Sequence, residues 1–250
     1  MMLNGMPNNN WLHILIYKNM QPVGRFGYVT DYDTKPKRRL HEMLNHHGLQ
    51  MNQELTFLTD GGDNVRNLPL YLSPLSEHFL DWFHITMKIT VIKQMSKNTL
   101  GKKYEDFEKK FERIKWFIWH GNVFQALQLL DSCVFDLESE DEEKEQKNDK
   151  LYKQVEEFYQ YIKINSTFIP NYADRYNHGE TISSSIAEST VNELISKRMA
   201  KKQQMRWTKK GAHLLLQVRI KTLDHALRPS FEKWYPKMQR KQANLLPLAA

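Results

Sequence analysis

The spacing of apolar residues changes near Pro74, and that change commits the chain to a mixed α/β fold: a few strands early, then a long helical remainder. Before the change, Trp11 to Tyr17 is a short apolar run rich in strand formers. Arg25 to Thr30 follows after Pro22 and Gly24, so the pair predicts an antiparallel hairpin. Lys37 to His47 carries Leu40, Met43 and Leu44 at helical spacing and stops at Gly48, a residue suited to a helix end. Glu54 to Thr59 reads as another strand. So few strands do not bury a stable core alone, and the helices must complete it.

Beyond Pro74, Ser76 and Glu77 are predicted to open a helix with Leu80, Phe83, His84, Met87 and Val91 on one face, widened by Trp82, Ile85, Ile89 and Ile92. Tyr104 to His120 repeats the pattern with Phe107, Phe111, Ile114 and Ile118. Gly121-Asn122 breaks it before Val123 to Phe135, predicting a helical hairpin. The acidic block Glu138 to Glu145 reads as a solvated loop or a frayed helix start ahead of a helix over Leu151 to Ile164. Ser183 to Ser185 can cap a later helix whose buried stripe is Ala187, Val191, Leu194 and Ile195. No repeat, heptad array or low-complexity linker divides the chain. The helical stretch of about 99–165 therefore reads as an insertion in one domain over 1–235, with a tail at 236–250.

The 250 residues, 40% of them hydrophobic and 12% aromatic, suffice for a core. With no apolar run of about eighteen residues and no signal-peptide pattern, a cytoplasmic protein without a membrane partner is expected. Cys133, the one cysteine, has no disulfide partner within the chain and reads as a packing residue. Charge is unevenly spread. Ile195 to Lys241 holds fourteen Lys or Arg against two acids, Asp224 and Glu232. That local excess of twelve positive charges leaves the remainder five negative within a net +7. Such a segment fits a polyanionic partner, or a solvated helix face.

Thr59-Asp60-Gly61-Gly62-Asp63 sets a carboxylate where a strand ends in a glycine turn. Ligands of α/β sheets commonly sit in such a crevice, although an ordinary Asp-Gly turn has the same composition. Glu188 borders the stripe of its predicted helix and is either a site carboxylate or a flanking surface residue. Asp81 and His84, three apart, share a face if both lie on a helix, where the histidine is either a site group or simply hydrogen-bonded. Arg206-Trp207 combines a cation for phosphate with a ring that either stacks or anchors the core.

Taken in order, Asp60-Gly-Gly, Leu80-Asp-Trp-Phe-His84, Trp119-His-Gly-Asn122, Ile186-Ala-Glu-Ser-Thr-Val-Asn192, Met205-Arg-Trp207 and Gly211-Ala-His-Leu-Leu-Leu-Gln217 resemble a bacterial insertion-sequence transposase of the DDE type. The branch is the one related to Mutator-like elements, and the resemblance runs from about Arg25 to Pro236. It implies a ribonuclease-H-like catalytic core in which two aspartates and a glutamate hold Mg²⁺ or Mn²⁺ for DNA strand cleavage and transfer. By matched position Asp60 is similar to the second aspartate and Glu188 to the glutamate, both as catalytic and metal-binding residues, with Asp81 and His84 in support. Lys197, Arg198, Lys201, Lys202, Arg206 and Trp207 would meet double-stranded DNA at the element ends. A homodimer is compatible with the family.

The first family aspartate is not matched. Its strand would lie upstream of the hairpin, and Met1 to Asn10 contain no Asp. Asp31 and Asp33 fall after the third core strand of the pattern. The expectation is an incomplete core, truncated at the amino terminus, with two of three ligands and no activity by itself. The alternatives are a non-catalytic DNA-binding or regulatory fragment and an unrelated helical interaction protein.

Overall fold

A computed structural model describes residues 11–18, 21–29, 32–61, 71–73, 75–141, 148–184 and 207–238. The fold is mixed α/β and mostly helical, and the chain divides into two compact units. One joins both ends of the sequence, 1–49 with 187–250. The other is the continuous stretch 50–186.

In the first unit, β1 (Trp11–Lys18) and β2 (Gln21–Val29) form the predicted antiparallel hairpin, with Trp11 opposite Val29 and an irregularity at Ile16/Tyr17. Phe26 and Val29 are buried on β2 and Leu40 on α1 (Pro36–His46). The helix α7 (Lys209–Leu223) packs on β2, burying Ala212, His213, Leu216 and Ile220 at spacings of one, three and four. Thr208 caps it by accepting a hydrogen bond from Gly211 N at 3.1 Å. Long-range polar contacts fix its register. Gln217 Nε2 donates to Gly27 O at 2.8 Å, Arg39 donates to Gln217 Oε1 at 2.7 Å, and Arg25 pairs with Asp224 at 2.5 Å. A short helix α8 (Leu227–Trp234) follows.

In the second unit, β3 (Thr56–Thr59) and β4 (Glu77–Leu80) run parallel, Thr56 opposite Glu77 and Thr59 opposite Leu80. The expected helix start at Ser76 and Glu77 is thus corrected. Four residues Glu-His-Phe-Leu show neither a helical nor an alternating pattern, and pairing with β3 decides their state. The helix α2 (Trp82–Thr99) begins only after Asp81 and buries Ile85, Ile89, Ile92 and Ser96. Its predicted face is also corrected: Met87 and Val91 are exposed. Two stripes with equal spacing lie side by side on this helix, and tertiary packing selects the isoleucine-rich one.

The helices α3 (Tyr104–Trp119), α4 (Val123–Asp141) and α5 (Asn148–Ile164) fall where the sequence predicts them, α4 running six residues further. Phe107, Phe111, Ile114 and Ile118 face Ala126, Leu130, Cys133 and Leu137 and the α5 stripe Leu151, Val155, Phe158 and Ile162 in one core. Gly121, at φ +71°, ends α3 with Gly121 N bonded to Ile118 O and Asn122 N to Phe117 O. A side chain there would press on the backbone of Asn171. The short helix α6 (Tyr172–Asn177) closes over Trp82 and Trp119, whose rings lie 4.9 Å apart, and Tyr172 OH donates to Leu80 O at 2.7 Å. Among the described residues, no helix is long and apolar enough to cross a membrane.

Cys133 is buried in this core, and burial pushes its thiol up from about 9 to about 11. Burial also raises the phenols of Tyr161 and Tyr172. All three groups hold their protons more tightly when folded, so their contribution is complete below the unfolded thiol value and is lost as pH rises through the folded one. The urea midpoint should therefore fall between about pH 9 and pH 11. Iodoacetamide should leave Cys133 unmodified in the native protein near pH 8 and alkylate it in urea.

Candidate functional site

β3 ends at Thr59, and Asp60 leaves the strand with its side chain exposed. Gly61 follows at φ +84°, a conformation that glycine adopts without steric cost. Its N–H bonds Thr59 Oγ1 at 3.3 Å, and that hydroxyl lies 2.7 Å from His78 Nε2 on β4. A Cβ at Gly61 would come within 2.9 Å of the Asn165 carboxamide and of Leu80 Cδ1. From α5, Tyr161 OH donates to Asp60 O at 3.0 Å.

Asp81 follows the neighbouring parallel strand, and its N–H continues the ladder to Thr59 O at 2.9 Å. The two aspartates therefore stand beside each other at the carboxyl ends of paired strands. Their environments differ sharply. The Asp81 side chain is 1% exposed; Oδ1 accepts from Phe83 N at 3.0 Å and Ser184 N at 2.9 Å, and Oδ2 accepts from Ser184 Oγ. Asp81 is the N-cap of α2 and does not ride on the helix, which corrects the expected same-face pair. His84 Nε2 still comes within 3.7 Å of Asp81 Oδ2, because the third helical position of a first turn lies over its cap. Trp82 N donates to Ile182 O at 3.1 Å, so the start of α2 holds the segment 181–184 at both Ile182 and Ser184.

The charges of Asp60 and Asp81 reinforce the effect of burial on Tyr161, and Tyr161 and Asp81 do the same for Tyr172. Both phenols remain protonated donors at neutral pH. For a divalent ion, Asp60 offers a hard oxygen donor with an exposed side chain, and the oxygens of Asp81 accept from Phe83 N and from Ser184. Among the described residues, no group of three or more His, Cys, Asp and Glu is arranged to hold a metal ion. Glu188, the second carboxylate, lies outside the described residues, as does Asp31. Asp33 is engaged by Arg39 and by Lys35 N.

Lys197, Arg198, Lys201, Lys202 and Arg206 also lie outside the described residues. Trp207 is half-buried beside Gly211, and its Nε1 is buried with no hydrogen-bond partner among the described residues. Lys209 and Lys210 extend the basic segment into the exposed first turn of α7. His213 and Gln217, from the same motif, face β2: Val29 N points at His213 Nδ1 at 3.5 Å, and burial followed by the Arg39 charge lowers the imidazole pKa, leaving a neutral ring that can accept.

Tyr161, Asn165 and Tyr172 were not legible as site residues. Each sits on or beside a helical stripe that explains it as packing, and each reaches the strand ends across a long sequence separation. Ser184 carried a signal, since it lies in the serine run read as a helix cap, but its partner is the Asp81 carboxylate. No family model, no curated protein and no solved structure matches this chain.

Proposed function

We propose that the chain belongs to the DDE-type DNA transposases and acts on double-stranded DNA at insertion-sequence ends through a ribonuclease-H-like core. The observation that carries this reading is the exposed Asp60 at the carboxyl end of β3, in a parallel pair reached through a hairpin and a helix. That element order is what the core requires around its second aspartate. The excess of twelve positive charges over Ile195 to Lys241 supports a DNA partner. A DNA target also fits a bacterial cytoplasmic location.

Asp60 and Glu188 are the residues that would hold Mg²⁺ or Mn²⁺. Bound divalent ions in such sites activate the attacking oxygen and stabilise the leaving one at phosphorus. Asp81 acts on the protein side, holding the strand end and the segment before Glu188 in sequence. Asp60 and Glu188 are the two family carboxylates with a matched residue in this sequence.

Binding is the direct test. Fluorescence anisotropy of a labelled duplex should give an association constant that falls linearly on a logarithmic salt scale. Neutralising Lys201, Lys202 and Arg206 to Gln together should reduce the slope by about 2 to 3 and weaken binding roughly 10- to 100-fold near physiological salt. Asp60→Ala should leave affinity unchanged or slightly raised. Salt-insensitive binding, or none, would reject the DNA reading.

A further inference from the structure

We infer that Tyr161 on α5, with Asn165 just past the end of that helix, positions the turn that carries Asp60, so that the helical part of residues 50–186 is a component of the carboxylate site. The inference rests on the reading of Asp60 as a metal-binding residue and adds to it the groups that aim it. The Tyr161 hydroxyl meets the Asp60 carbonyl at 3.0 Å across 101 residues of sequence. Asn165 is 2% exposed and donates to Tyr161 O at 2.8 Å, which locks its carboxamide against Gly61, where no β-carbon could fit. Lys88, from α2, lies over the Tyr161 ring at 4.6 Å and holds it from the other side. The turn is thus fixed by β4 through Asp81 N, by its own Thr59 hydroxyl and by α5. The backbone turn sets where the Asp60 carboxylate starts from, and groups behind a ligand commonly change metal affinity 10- to 100-fold.

Tyr161→Phe removes only the hydroxyl and keeps the ring, its packing and its contact with Lys88. Two measurements on the full chain separate positioning from stability: amide exchange over residues 57–61 by mass spectrometry, and Mn²⁺ affinity by electron paramagnetic resonance. The variant should exchange several-fold faster over 57–61 and bind Mn²⁺ about 10-fold more weakly. Its melting temperature should fall by only a few degrees. Tyr159→Phe, on the same helix, should match the wild type in both readouts, and Asp60→Asn should abolish Mn²⁺ binding. Wild-type exchange and wild-type affinity in Tyr161→Phe would overturn the inference. If wild type binds no Mn²⁺, or Asp60→Asn binds it equally well, the metal reading of Asp60 fails. Exchange alone then decides the positioning: faster exchange upholds it and unchanged exchange overturns it.

Discussion

Phe111→Ala should destabilise the unit of residues 50–186 by about 4 kcal/mol, lowering its melting temperature by roughly 10 °C or more. Phe111 is fully buried on α3, its ring stacked on Phe107 at 4.7 Å and tilted against Phe158 of α5 at 6.5 Å. Ile114 and Ile118 on the same stripe are also fully buried. Removing the ring deletes apolar contacts and leaves a cavity that rigid helices on several sides can only partly close. Trp116→Ala is the control, because that ring is on the same helix but 57% exposed; it should change stability by about 1 kcal/mol or less. Calorimetry of the two variants checks both. Equal effects would mean that α3 packs with a different face.

Asp81→Ala should cost about 3 kcal/mol, the second large effect. The carboxylate satisfies Phe83 N at the helix start and both the N–H and the hydroxyl of Ser184. Its loss removes a helix cap, worth about 1 kcal/mol, and strands further donors in a site that is closed to solvent. Asp81→Asn separates hydrogen-bond acceptance from negative charge. Asparagine caps a helix as well as aspartate and still offers an oxygen to both N–H groups, so about 1 kcal/mol or less should be lost. Thermal unfolding of the two variants gives the comparison. A loss for Asn as large as that for Ala would mean that the negative charge, rather than the hydrogen-bond acceptor, is what the site requires.

These contacts also mark where local sequence stops being informative. The α3 stripe is legible because Phe107, Phe111, Ile114 and Ile118 are the apolar residues of one face, with charged residues between them. On α2 the set His84, Met87, Val91 and the set Ile85, Ile89, Ile92 have nearly the same spacing, so periodicity cannot choose, and the β-branched set goes inside. β4 is too short for any period and exists because β3 offers a parallel partner some twenty residues away. The place of Asp60 at a strand end is legible from a local pattern, a strand followed by Asp-Gly-Gly. The Asp81 cap has a local signature, an aspartate directly before a helical run, which the apolar residues at Phe79 and Leu80 obscure by extending that run upstream. Its bond to Ser184 has none, because the partners are 103 residues apart. Tyr161 and Asn165 lie beyond local reading for the same reason.

The transposase reading proposed above makes Asp60 a ligand of a divalent ion. Fe²⁺ takes the place of Mg²⁺ at oxygen-ligand sites, and hydroxyl radicals made there with ascorbate and peroxide cut the chain beside its ligands. Mass spectrometry of the fragments locates the cuts. Breaks should cluster near residue 60 and be suppressed by excess Mg²⁺ and by Asp60→Asn. An absence of breaks near residue 60, or a pattern indifferent to Asp60→Asn, would contradict the metal reading.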